Sequence, residues 1–419
     1  MPAAPGRTTG NRMAMAVMTT IFFMWGFITA LNDVLIPHLK SVFTLNYKEV
    51  MLVQFTFFGA YFLMSLPSGK VVSRLGYRLS IVAGLAVTGV GALLFLPAAM
   101  VQSYPLFLLA FFVLASGITL LQVAANPYVS LLGPPRLASS RLNLAQALNS
   151  LGTTIAPKLG GLLILSVAVL GSAELAKLPA AQQAAYKLQQ AHLVQGPYLG
   201  IALVLFALAL VVWLFHLPAI HGADEHADDA RHTFLDALAH ARVWFGMLAI
   251  FVYVGAEVSI GSFMINYISL PGIGDMPEAR AAGFVSLYWG GAMIGRFAGS
   301  ALLTRIDARK LLRAFAVIAG LLVLTTMLTH GHVAMWSVIA IGLFNSIMFP
   351  NIFTLGIEKF GPLAGKVSSL LVMAIVGGAV IPLAQGALAD RIGVQHAFVL
   401  PLLCYAYIVF YSVRGSRVA

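Results

Sequence analysis

Residues 117–161 read GITLLQVAANPYVSLLGPPRLASSRLNLAQALNSLGTTIAPKLGG, two apolar helical segments joined by a short loop with Gly133, Pro134, Pro135, Arg136 and Arg141. Four carboxamides, Gln122, Asn126, Gln146 and Asn149, sit inside those segments, at a depth where lipid offers no hydrogen-bonding partner. Gln122 and Asn126 are four residues apart and Gln146 and Asn149 three, so each pair shares a helix face. An amide carries two donors and an acceptor with two lone pairs, a set that suits the alternating hydroxyls of a sugar. Polar side chains in membrane helices also bridge neighbouring helices, at roughly 1 kcal/mol each. With two pairs on adjacent segments, the favoured reading is a sugar-sized polar cavity in a membrane protein.

The composition agrees. Of 419 residues, 60% are hydrophobic and 9% charged, with a mean hydropathy of +0.92. A soluble domain carries about 25% charged residues, so the chain reads as an integral membrane protein. The single cysteine, Cys404, lies in the last apolar segment and excludes an intramolecular disulfide. The net charge of +11 resides largely in short loops between apolar runs, a placement that sets topology rather than binding nucleic acid. The first apolar run continues through Asn32 and Asp33 without a small-residue cleavage site, which predicts a retained helix rather than a signal peptide.

A span takes about 20 apolar residues, and twelve are expected, at 13–43, 47–72, 79–100, 104–131, 141–170, 196–217, 241–269, 281–304, 310–330, 333–357, 366–389 and 395–413. The fold class is therefore all-α, with both termini on one side of the membrane. That side holds seventeen Lys and Arg against six on the other, and the positive-inside rule makes it cytoplasmic, in a plasma (bacterial inner) membrane. Lys158 and Arg296 fall within spans.

The chain repeats itself. Gly59, Ser73, Arg74 and Arg78 recur as Gly290, Thr304, Arg305 and Arg309, shifted by 231; Gly152, Pro157 and Gly161 recur as Gly377, Pro382 and Gly386, shifted by 225. Six spans duplicated as six more, with a site between pseudo-symmetric halves, is a common transporter plan. The expected division is a first half at 1–217, a linker at 218–240 and a second half at 241–419. The linker is rich in Asp and His (Asp224, Glu225, Asp228, Asp229 and Asp236 with His221, His226, His232 and His240). Its spacing matches no closed metal site, so a solvated linker helix is expected and no metal.

Two acids lie well inside spans, Asp33 and Glu257. An acid at the bilayer centre costs about 2.5–3.5 kcal/mol, so each needs a partner, water or a proton. Low dielectric favours the neutral form of a carboxyl, which would let either acid take up and release a proton during a cycle. Either could instead be paired permanently with Lys158 or Arg296. Glu257 shares its helix face with Tyr253, a further candidate ligand residue. Lys158 points roughly 130° from the Gln146/Asn149 direction on an ideal helix and reads as snorkelling or packing.

Several strings carry a family resemblance: FFMWGFITALNDVLIPHLKSVF, FFGAYFLMSLPSGKVVSRLGYR, LLQVAANPYVSLLGPP, SSRLNLAQALNSLGTT and FVYVGAEVSIGSFMINY. Together they resemble the fucose–galactose–glucose:proton symporter family of the major facilitator superfamily, over essentially the whole chain. GKVVSRLGYR is similar to the superfamily's loop between its second and third helices, with Ser73 where an acid is usual. The resemblance implies that Asp33 is the proton-linked aspartate and that Gln146 and Asn149 contact sugar. It places Gln122 where the fucose permease has a glutamate, and LLQVAANP and YVGAEVSIGS look more like the glucose/galactose branch, where sodium coupling also occurs. An N-acetylglucosamine permease of the family is similar too.

The expected function is ion-coupled import of a hexose such as glucose or galactose by alternating access. Substrate would meet Gln122, Asn126, Gln146, Asn149 and Tyr253. Asp33 and Glu257 would serve coupling to H+ or Na+, and Arg74, Arg78, Arg305 and Arg309 conformational gating. A sugar and the bilayer are the expected partners of a monomer, without cofactor. A drug exporter would favour an aromatic, apolar cavity over amides, and a sensor would need an output domain. A membrane enzyme would need a nucleophile–base constellation that the spans lack.

Overall fold

The computed structural model describes residues 5–43, 47–163, 177–215, 218 and 233–418. Apart from short 3-10 turns the described elements are α-helices: α1 (Pro5–Phe43), α2 (Tyr47–Met100), α3 (Tyr104–Leu131), α4 (Ala138–Leu163) and α5 (Ala180–Leu214). A short helix, Phe234–Leu238, follows, started by a capping box between Thr233 and Asp236. Then come α6 (Ala241–Ser269), α7 (Glu278–Leu302), α8 (Ala308–Leu328), α9 (Gly331–Asn345) and α10 (Met348–Ile357). The last are α11 (Ala364–Met373), α12 (Gly377–Ile392) and α13 (Val399–Val413). Most of the expected linker, 219–232, lies outside the described residues.

Among the described residues nine segments are long and apolar enough to cross a membrane. One of them, Phe55–Met100, contains two expected spans. They meet at Gly76, whose φ of 74° and ψ of 172° turn the chain in a region open to glycine and strained for other residues. Two further spans, α4 and α7, interrupt their apolar surface with Arg141 and Lys158, and with Arg280 and Arg296. The described residues of all twelve expected spans thus fall largely on helix. Two of them differ from expectation in being broken. The span at 333–357 parts at Ser346 and Ile347 into α9 and α10, and the one at 366–389 passes through a 3-10 turn, Ala374–Val376, between α11 and α12.

The repeat in sequence is a repeat in packing. Helix association in lipid relies on close backbone approach. A Cβ on Gly152 would lie 2.2 Å from the Phe23 carbonyl oxygen, and one on its counterpart Gly377 would lie 2.0 Å from that of Phe251. So α1 crosses α4 as α6 crosses α12, backbone against backbone. The two pseudo-symmetric halves meet at the end that carries loop 133–137. Ser139 Oγ lies 2.6 Å from Thr354 Oγ1, Ser140 Oγ donates to the Ser300 carbonyl at 2.7 Å, and Ser300 Oγ returns a bond to the Ser140 carbonyl at 2.9 Å. Asn143 Nδ2 donates to Asn351 Oδ1 at 3.0 Å, and Ser368 Oγ to the Val123 carbonyl at 3.0 Å. Ser368 is Asn143 shifted by 225, so one repeated position takes part in the closure from each half.

Candidate binding site

α3 and α4 pack against each other and bury all four expected carboxamides. Gln122 Nε2 donates to the Tyr61 hydroxyl at 2.7 Å, while its Oε1 has no partner among the described residues. Both amide atoms of Asn126 and Nε2 of Gln146 are likewise unpaired there. An unsatisfied buried polar atom costs about 1–3 kcal/mol, so these four atoms are open to a further hydrogen-bonding partner. Asn149 differs: its Nδ2 donates to the Phe22 carbonyl at 2.9 Å, and a Cβ on Gly26 would strike its backbone oxygen at 2.1 Å. One of its donors is thus spent on joining α4 to α1.

The second half contributes a connected polar network around Glu257. Tyr253, fully buried, donates to Glu257 Oε1 at 2.8 Å and lies 2.9 Å from the Asn345 carbonyl. Asn345 Nδ2 donates to Tyr288 Oη at 2.7 Å and its Oδ1 accepts from Tyr405 Oη at 2.6 Å. Tyr288 Oη reaches the Glu257 carbonyl at 3.2 Å. Arg296 Nη2 lies 3.8 Å from Glu257 Oε1, so in this structure Glu257 is paired. Arg296 also donates through Nε to the Ser346 carbonyl at 3.2 Å and through Nη1 to Ser150 Oγ, across to the other half. The break between α9 and α10 exposes the carbonyls of Asn345 and Ser346, and Tyr253 and Arg296 satisfy them. The side chain of Asp33 lies outside what the structure describes, although its backbone is on α1. Lys158 is exposed, and no ion pair joins it to Glu257, which has Arg296.

The four expected gating arginines divide. Arg74 and Arg305 are exposed. Arg78 donates to the carbonyls of Val212 and Trp213 at the end of α5, and Arg309 to Glu358 and to Ser416 beyond α13. Each of that second pair fastens its loop to the last helix of its own half. Among the described residues, side-chain hydrogen bonds between the halves at this end come from Ser139, Ser140, Asn143, Ser300, Asn351, Thr354 and Ser368, which sequence reading missed. Their only early signal was the spacing of polar residues on the α4 face that also holds Gln146. Two clefts, of 570 and 510 Å³, open at the loop end; charged loop residues wall both, and the carboxamides line neither.

A family model described as Major Facilitator Superfamily matches residues 14–382, and the chain belongs to that superfamily, whose members move solutes across membranes rather than transform them. Among individual relatives it is 50% identical over 404 residues to the glucose/galactose transporter of Brucella abortus, covering 96% of this chain and 94% of that one. It is 43% identical to the putative glucose/galactose transporter of Helicobacter pylori, with 98% of each covered. It is 36% identical to the L-fucose-proton symporter of Escherichia coli, covering 99% of this chain and 95% of that one. A crystal structure of the superfamily transporter FucP in the outward conformation superposes with a TM-score of 0.90 at 35% identity, covering 96% of this chain and 98% of that one.

Proposed function

We propose that the chain is a secondary active importer of a hexose, glucose or galactose, driven by a proton or sodium gradient through alternating access. The observation that carries this is the set of unpaired amide atoms on Gln122, Asn126 and Gln146, in a chain half identical to a glucose/galactose transporter along nearly its full length. These amides, with Asn149, take the sugar hydroxyls; Tyr253 orders the opposite wall. Asp33 couples transport to the ion, with Glu257 as the second acid. The functional units are 1–217 and 241–419, joined by a linker at 218–240, in a monomer of the bacterial inner membrane with both termini cytoplasmic. The end closed by Ser139, Ser140 and Asn143 is then the cytoplasmic end, and the conformer faces outward. Arg74, Arg78, Arg305 and Arg309 gate at that end, Arg78 and Arg309 by holding its loops.

Gln122 favours glucose or galactose over fucose, because the fucose permease pattern has a carboxylate there. The test is uptake of a labelled hexose panel into proteoliposomes under separately imposed proton and sodium gradients. Glucose or galactose should accumulate under one gradient and fucose should not. Accumulation of fucose alone would reassign the substrate, and binding without counterflow would make the protein a sensor.

A further inference from the structure

We propose that Arg296 is a positioning residue that carries the charge state of Glu257, in the second half, to the turn of α4 that presents Gln146, in the first. The proposal rests on the reading that Gln146 contacts sugar. The Arg296 and Glu257 side chains are each 12% exposed, so neither charge is well solvated and each depends on the other. The guanidinium is a rigid fork of five donors, and it touches three elements at once. It faces Glu257 on α6, the Ser346 carbonyl at the α9–α10 break, and Ser150 Oγ on α4. Ser150 Oγ in turn donates to the Gln146 carbonyl at 3.1 Å. The contacts therefore run without interruption from Glu257 through Arg296 and Ser150 to the backbone of Gln146, whose side-chain Nε2 is left free.

This contact differs in kind from the others between the halves. Ser139–Thr354, Ser140–Ser300 and Asn143–Asn351 join neutral groups and stay indifferent to a change of charge. Arg296–Ser150 lies on the same α4 face, about 16 Å above Ser139 along the helix, and one of its members is a cation. Glu257 is held by Tyr253 at its carboxylate and by Tyr288 at its carbonyl. Tyr253, Tyr288, Tyr405 and Arg296 are the titratable groups that the structure sets against it. With the carboxylate held in this way, a change in its charge is answered by the guanidinium, whose long stem has the more rotatable bonds. Neutralising Glu257 removes the counter-charge, Arg296 withdraws from Ser150, and the Gln146 turn is released from the second half. Loss of charge in one half thereby changes how the other presents its sugar ligand.

A double-mutant cycle on sugar affinity tests this, by calorimetry on purified full-length protein with the hexose that the uptake panel identifies. Ser150→Ala and Glu257→Gln should each weaken binding about fivefold, and the double variant about fivefold again rather than twenty-five-fold, because both break one chain. Multiplicative losses would overturn the proposal. A merely structural role would lower thermal stability in each variant without that non-additivity. If Glu257→Gln does not fold, Arg296→Lys takes its place in the cycle, since lysine keeps the charge and loses the fork; the same non-additivity with Ser150→Ala is expected, and additivity there also overturns it. Gln146→Ala separates the two readings. Unchanged affinity in that variant would remove the sugar from this face, whereas weakened affinity with an additive cycle would leave the site and remove the positioning role.

Discussion

Gln146 and Asn149 share a helix face but differ in what they have left to give. Gln146 Nε2 has no partner among the described residues, while Asn149 Nδ2 is bonded to the Phe22 carbonyl. Gln146→Ala should therefore weaken sugar binding about tenfold with little change in melting temperature. Asn149→Ala should weaken binding and also lower the melting temperature, because it loosens α1 from α4. Calorimetric titration alongside thermal unfolding checks both, and two identical melting curves would contradict the division. Gln122→Glu should give sugar binding a pH dependence that the amide cannot supply, since a carboxyl in this setting must be desolvated to stay charged; a binding-versus-pH curve matching wild type would place Gln122 outside the site. At this scale the sequence made the amide-bearing faces legible, because helical spacing is local. It did not show that Asn143 and Ser150 on the α4 face join the halves, nor that Arg296 rather than Lys158 accompanies Glu257. Those pairings cross between different helices, and spacing along one helix says nothing of what faces it.

At the scale of elements, the repeated glycines are of two kinds. Gly152 and Gly377 sit where their helices cross at backbone contact, whereas a Cβ on Gly59 or Gly290 would meet nothing within 4 Å. Gly377→Ala and Gly152→Ala should each destabilise by about 1–3 kcal/mol through forced backbone shifts. Gly59→Ala and Gly290→Ala should be neutral or stabilising by up to about 1 kcal/mol, the gain in helix propensity. Unfolding of the four variants in detergent measures this, and equal losses at all four positions would contradict the packing described. The spans themselves were legible from apolar length. The breaks at 346–347 and 374–376 were not, because the residues there are as apolar or small as their neighbours. The carbonyls freed at the first break are satisfied by Tyr253 and Arg296, from other helices, which no local pattern reveals.

At the scale of the molecule, two halves were legible from the repeat, while the end at which they meet depends on the conformer and leaves no trace in sequence. Ser140 and Ser300 hydroxyls lie 3.4 Å apart across that closure. A Ser140→Cys/Ser300→Cys variant, oxidised, should lose hexose counterflow and regain it on reduction; the native Cys404 is buried. Undiminished counterflow in the oxidised form would mean that this end never opens. The coupling acid is the remaining element of the account, and net uptake against exchange isolates it. Asp33→Asn resembles the neutral acid but can neither release a proton nor bind sodium as a carboxylate. The most direct measurement is hexose accumulation in proteoliposomes under an imposed ion gradient, beside counterflow without one, for wild type and Asp33→Asn. Wild type should concentrate glucose or galactose and Asp33→Asn should fail to do so while still exchanging it, whereas accumulation by Asp33→Asn at the wild-type rate would contradict the account.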